Sequence, residues 1–363
     1  MQESLFIQWA KKYLPGIVIR TVTTLNGEKP PLPYWHRRLL KKDFSITGKW
    51  ESKNISDKIV AADYVAMDSS LPLKSRPKIR SASGDIPKMG IEFTLNEQQL
   101  TELDDMVALK RPESQIVAKL FEDTPRAIGG IYEKNELAFL RGFSTGITLI
   151  EDADNVGTGV RVDYGYLANH KFTAPNNWGA NANPLAYFDT VLDQVQKDQN
   201  AVDIAYMNRK TWRSIAATDA IKQLYAFSIG YVGSNANIPT PSLTQANAAL
   251  KDQLGFEIEI VERKVTVQKN GVDKDVTPWD DGAIIFTKSG LVGSLVWARL
   301  AEASRPVPGV TYQVADEYIL ASKFSTNRPS LKEFTTAQAR AIPVIGNVDN
   351  IYLLKWDPNT PAT

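Results

Sequence analysis

The chain has 363 residues, of which 43% are apolar and 23% charged, enough for one large core or two moderate ones and too ordered in composition for global disorder. It has no cysteine, which excludes disulfides, thiolate catalysis and cysteine-ligated metal, and no apolar run near the ~20 residues that span a bilayer. The net charge of +1 hides two opposed blocks: residues 1–90 carry 16 Lys/Arg against 8 Asp/Glu, residues 91–155 carry 6 against 13, and the remainder balances.

The start, Met1-Gln-Glu-Ser-Leu-Phe-Ile-Gln-Trp, lacks the basic region and apolar stretch of a secretory signal, so the expectation is a soluble protein made in the cytoplasm. Residues 1–60 combine scattered basic groups with the break Lys29-Pro-Pro-Leu-Pro-Tyr-Trp35, where consecutive prolines hold the backbone extended. Tyr34 and Trp35 have no local core, which points to an extended arm. Residues 61–95 read as a long β-hairpin. In its first strand Lys74, Arg76, Lys78 and Arg80 alternate with other residues and so share one face, while Pro77 argues for an edge position. Ser81-Ala-Ser-Gly-Asp85 supplies the turn, and Ile91-Glu-Phe-Thr-Leu95 alternates as the return strand.

Helices are predicted next. Asn96 and Gln99 form a capping-box pattern ahead of Leu100, Leu103, Met106 and Val107. A second helix covers about 112–122. A third, about 125–149, carries Ile128, Ile131, Tyr132, Phe139, Leu140, Phe143 and Ile147 at an approximate helical period; its three glycines, 129, 130 and 142, suggest close packing or bending. From residue 156 the pattern is mixed. Val160–Tyr164, Val202–Met207 and Phe256–Val261 read as strands; Pro184–Lys197, a segment around Trp212, and Leu243–Leu254 stopped by Gly255 read as helices. Asn270-Gly271 marks a hairpin, and Ala283–Phe286 with Leu291–Trp297 suggest a further strand pair. Short strands ending in Ile351-Tyr-Leu-Leu354 close a chain of α+β class.

Catalytic signals are weak. The two histidines stand apart: His36 in the basic run His36-Arg-Arg-Leu-Leu-Lys-Lys42, and His170, for which an ordinary hydrogen-bonded role is expected. Asp154-Asn-Val-Gly157-Thr-Gly159 lacks the third glycine of a dinucleotide fingerprint. Asp104-Asp105 and Asp280-Asp281 are adjacent carboxylates, which do not converge on one point. No catalytic residue, metal ligand or cofactor site is assigned. The basic groups at 36–42 and 74–80 give only a weak indication of phosphate contact.

The second half carries a resemblance. Trp178 and Pro184 precede a helix, Ile204-Ala-Tyr-Met-Asn208 is followed by Trp212, and Pro278-Trp-Asp-Asp-Gly-Ala-Ile-Ile-Phe286 leads to Ser289-Gly290. The tail runs from Ala339-Arg-Ala-Ile-Pro-Val-Ile345 to Ile351-Tyr-Leu-Leu354. With the element order, this pattern resembles the major capsid proteins of tailed phages, specifically the lambda-like capsid protein E family. The resemblance implies an N-terminal arm (1–60), an extended loop (61–95), a peripheral domain (96–175 and 300–363) with a spine helix at about 125–149, and an axial domain (176–299). It also implies a structural, non-enzymatic role: hexamers and pentamers closing into an icosahedral phage head around double-stranded DNA. That virion would be assembled in the host cytoplasm with scaffold, portal and decoration partners and no membrane. The opposed charge blocks then suggest that Lys74, Arg76, Lys78 and Arg80 meet Glu97, Glu102, Asp104 and Asp105 of an adjacent copy. An encapsulin-type cage and a carboxylate-dependent hydrolase are the alternative expectations.

Overall fold

The computed structural model describes residues 3–27, 34–55, 79–150, 159–174, 182–233, 238–269 and 271–356. The chain begins with α1 (Ile7–Asn26), which buries Ala10, Leu14, Val18 and Thr21 in a stripe and leaves Lys11, Lys12 and Arg20 exposed. Residues expected to form an extended arm are therefore largely helical. α2 (Trp35–Leu39) runs straight into β1 (Leu40–Phe44). Tyr34 finds a core after all, because its partners come from about a hundred residues away: its ring lies 5.3 Å from that of Tyr132 and its hydroxyl donates to Glu133.

β2 (Lys49–Ile55) and β3 (Ile79–Asp85) form a two-stranded ribbon. β4 (Lys88–Leu95) follows after Ile86 and Pro87. The expected hairpin is thus re-paired: Ser81–Asp85, read as its turn, lie in β3, and β4 pairs elsewhere. Trp50 approaches this strand closely, since a methyl group on Gly84 would stand 2.8 Å from the indole Nε1. The small residues serve contact here, and the Ile86 amide donates to the Gly48 carbonyl at 3.0 Å. Lys74, Arg76 and Lys78 lie outside the described residues; Arg80 falls on the β3 backbone.

α3 (Glu97–Ala108), α4 (Glu113–Leu120) and α5 (Asp123–Thr145) come next. α5 stops earlier than its periodicity suggested, at Gly146 (φ +80°), whose amide closes the last turn on the Gly142 carbonyl. Ile147 belongs instead to β5 (Ile147–Ile150), antiparallel to β6 (Val160–Asp163). Gly142 is a close-packing position: a Cβ there would lie 2.4 Å from Thr148 Oγ1 and 2.5 Å from the Tyr164 ring.

The remaining elements are β7 (Lys171–Ala174), α6 (Pro184–Lys197), β8 (Ile204–Met207), α7 (Arg209–Ala216) and α8 (Asp219–Ser228). α9 (Leu243–Leu254), β9 (Glu257–Ile260), β10 (Val265–Lys269), β11 (Val272–Val276), β12 (Ala283–Thr287) and β13 (Gly293–Ala298) follow. The chain closes with α10 (Ala301–Ser304), β14 (Thr311–Ala315), β15 (Ile319–Thr326), β16 (Lys332–Ile345) and β17 (Tyr352–Trp356).

Two compact units result. The first comprises residues 1–50, 83–139 and 293–344. Its sheet has the order β1-β13-β16-β15-β14, with β4 also antiparallel to β16 through pairs such as Leu95 with Glu333. α1 packs along β14. The second comprises residues 51–82, 140–292 and 345–363, with a sheet ordered β7-β17-β12-β8-β9. β12 and β13, expected to pair, belong to different sheets. Every residue of β12 is buried and both its edges are taken by β17 and β8, so no edge is left for β13. α6 and α9 supply apolar faces to this core, where Phe188, Phe256 and Phe286 meet edge to face at 5.2–5.6 Å. The β10–β11 hairpin forms as the Asn-Gly pair predicts, with Gly271 at φ +76°.

Two ionisable side chains are sunk in the first unit. Lys323 on β15 donates to the Leu120 carbonyl at 3.0 Å and to Thr335 Oγ1 at 2.9 Å. Glu333 on β16 accepts from the Ser4 hydroxyl and from the Leu5 amide at 3.2 Å. Both side-chain-bearing residues are wholly buried. Burial lowers the Lys323 ammonium to about 8 despite the nearby Glu333 and Asp123 carboxylates, and burial raises Glu333 above its ordinary value.

Two outcomes are expected of the folded chain. Phe286→Ala, which empties the centre of the aromatic trio, lowers unfolding free energy by about 3–5 kcal/mol in a denaturant titration. The folded chain gives up the Lys323 proton near pH 8, whereas the unfolded chain keeps it to about 10.5. The cost of this group is therefore complete below pH 8, and stability rises as pH climbs from 8 towards 10.5, by about 3 kcal/mol. Lys323→Met removes that rise.

Candidate assembly surface

The four carboxylates singled out for intersubunit contact lie on α3. Its start is fixed by a capping box: Asn96 Oδ1 accepts from the Gln99 amide and Gln99 Oε1 from the Asn96 amide, both at 3.0 Å. Leu100 and Leu103 are buried, which turns the opposite arc outward and leaves Glu97, Glu102, Asp104 and Asp105 exposed. All four carboxylates share one helix, as the spacing predicts.

They are not equivalent. Glu102 accepts an ion pair from Lys119 of α4 within the same unit. Glu97, Asp104 and Asp105 form no ion pair among the described residues. Asp105 stands in the last turn, at the negative end of the helix dipole, with Asp104 just before it and no basic residue in that turn. Such placement costs about 0.3–1 kcal/mol per charge. The basic row is not brought against this face among the described residues, since its members lie outside them or, for Arg80, on the backbone of β3.

The other candidates are engaged in structural roles. Asp280 accepts from Lys355, and Asp281 accepts from Asn208 and Lys210, so the adjacent carboxylates diverge to separate partners. His170 has Nε2 2.9 Å from Asp198 Oδ2, donates from Nδ1 to the Ile351 carbonyl, and stacks on Tyr352 at 4.1 Å. This is the ordinary hydrogen-bonded role expected of it. His36 is buried with Nδ1 2.6 Å from Glu136 Oε2, a tie between distant segments that the local basic context did not reveal. Among the described residues no group of three or more His, Asp or Glu is placed to hold a metal ion. No helix is long and apolar enough to cross a membrane among those residues.

The site thus consists of an exposed acidic helix in the first unit, while the adjacent carboxylates Asp280 and Asp281 are bound to separate cations in the second. The family model of phage major capsid protein E matches residues 21–344. The fold is similar to that of a prophage protein of E. coli CFT073 described as a capsid protein, at a TM-score of 0.51 and 14% identity over 78% of this chain and 80% of that one. It is also similar to the mature capsid subunit of bacteriophage PhiM1, at a TM-score of 0.51 and 10% identity over 90% and 88% of the two chains. No curated protein matches the sequence. The chain has the tailed-phage capsid fold and belongs to the phage major capsid protein E family.

Proposed function

We propose that copies of this chain form hexamers and pentamers that close into an icosahedral phage head around double-stranded DNA, with no catalytic role. The observation that carries the reading is the family match over residues 21–344, on a chain whose conspicuous carboxylates are either bound in ion pairs or displayed on a helix surface. Portal, scaffold and decoration proteins are the further partners, and packaged DNA is met through non-specific contact. The particle assembles in the host cytoplasm.

In this reading residues 1–60 supply the N-terminal arm, 61–95 the extended loop, 96–175 and 300–363 the peripheral domain with α5 as its spine, and 176–299 the axial domain, whose sheet also takes in β7 and β17. Lys74, Arg76, Lys78 and Arg80 of one copy lie on the α3 face of the next, against Glu97, Asp104 and Asp105. The unfavourable position of Asp104 and Asp105 on the helix dipole supports an intersubunit use for them. Glu102 is the least available of the four because Lys119 already neutralises it.

Co-expression with the neighbouring genes, followed by sedimentation and electron microscopy, yields closed polyhedral particles or free hexamers and pentamers. A monodisperse monomer or dimer under every condition would refute the shell. Reversal of Lys74, Arg76, Lys78 and Arg80 to glutamate abolishes closed shells while the subunit stays folded. Glu97, Asp104 and Asp105 reversed to lysine do the same, and unchanged assembly of either set would sink the pairing.

A further inference from the structure

The sheet of the second unit ends at β9, which pairs on one side only, with β8, among the described residues. An edge strand displays unpaired amides and carbonyls, and an extended segment of another chain can add to them. In the first unit the edge strand β14 is packed against α1. The β9 edge is closed by different means.

Which groups face outward follows from the ladder. The Glu257 amide donates to the Asp203 carbonyl at 3.0 Å, and the Val261 amide donates to the Met207 carbonyl at 2.8 Å. The odd-numbered residues of β9 therefore turn their backbone groups inward to β8, and Ile258 and Ile260 turn theirs outward. At Ile258, the centre of this edge, one side chain takes both groups. Asn247 Oδ1 accepts from the Ile258 amide at 2.9 Å, and Asn247 Nδ2 donates to the Ile258 carbonyl at 2.8 Å. The carboxamide thus supplies the acceptor and the donor that the backbone of a neighbouring strand would supply.

The setting of Asn247 is otherwise unfavourable. It stands within α9 in the run Ala246-Asn247-Ala248-Ala249, and asparagine forms helix less well than the alanines around it. α9 starts at the Ser242 capping box and stops at Gly255, and β9 begins at Glu257, so a short connection holds the helix to the strand. Lys251, one turn further along α9, pairs with Glu257 of β9.

We propose that Asn247 is a lock on the β9 edge: its carboxamide stands in for a further strand and bars extended segments of other chains from joining the sheet. The lock acts on the single subunit and does not depend on how copies assemble.

The test uses the full chain and a fluorescein-labelled peptide, Val-Lys-Val-Lys-Val, whose lysines match Glu257 and Glu259 on one face of β9. Asn247→Ala and Asn247→Leu remove the carboxamide and leave a good helix former, so the circular dichroism spectrum is unchanged. The Ile258 amide of each variant exchanges its hydrogen roughly 10-fold faster than in the unmodified chain. By fluorescence anisotropy the peptide binds each variant at least ~10-fold more tightly than the unmodified chain. A peptide N-methylated at every residue, which has no strand donors, binds neither. Equal binding of the first peptide to variant and unmodified chain, or binding to none of them, would overturn the lock. Failure of both variants to fold would overturn it too, because Asn247 would then be a prop of α9.

Discussion

The carboxylate of Glu136 is the constraint on which the first unit depends. It sits on α5, wholly buried, and accepts from the Trp35 amide at 2.9 Å and the His36 amide at 3.0 Å, with His36 Nδ1 at 2.6 Å. A buried carboxylate costs several kcal/mol unless its oxygens are occupied. Here the occupants are the otherwise unpaired amides at the start of α2. The helix and the returning chain therefore fix one another. α2 leads without a break into β1, which lies parallel to β13 from the pair Leu40 with Gly293 to Phe44 with Trp297. The same α5 surface reaches further through Tyr132, whose hydroxyl donates to Asp316 Oδ2, while Lys42 of β1 donates to Asp316 Oδ1. Asp316 and Glu317 occupy the left-handed turn between β14 and β15. One buried face of a helix thus positions a sheet edge, a turn and the chain's re-entry.

What the sequence disclosed divides along the range of each interaction. The Asn96 capping box, the stop at Gly255 and the Asn-Gly hairpin depend on residues within a few positions, and each appears where those residues place it. The acidic arc of α3 was legible for the same reason: a capped helix with Leu100 and Leu103 inside leaves its other face outside. Strand partners were not legible. β4 pairs with β16 across about 240 residues, and alternation says which face is buried without naming the neighbour. α1 was hidden because Pro15 and scattered basic residues interrupt its apolar stripe. The neutralisation of Glu102 by Lys119 likewise needs two helices to be brought side by side.

The acidic block of residues 91–155 resolves into two populations once the fold is known. Glu136 is internal, Glu133 accepts from Tyr34, Glu122 pairs with Arg126, Glu113 with Lys12, and Glu102 with Lys119. Much of the excess negative charge therefore belongs to the subunit's own construction. Among the described residues of this block, Glu97, Asp104 and Asp105 on α3 and Glu92 on β4 are left without an ion pair.

Glu333 has a different implication for the beginning of the chain. Its oxygens are occupied by Ser4 and Leu5, and Ser325 donates in turn to the Glu3 carbonyl at 2.7 Å. The leading residues are consequently part of the interior, not a loose end in front of it. A protease cut just beyond Leu5 would strand a buried carboxylate without either donor, a penalty of about 1–3 kcal/mol for each orphaned bond. Loss of these residues would therefore cost the first unit stability from within.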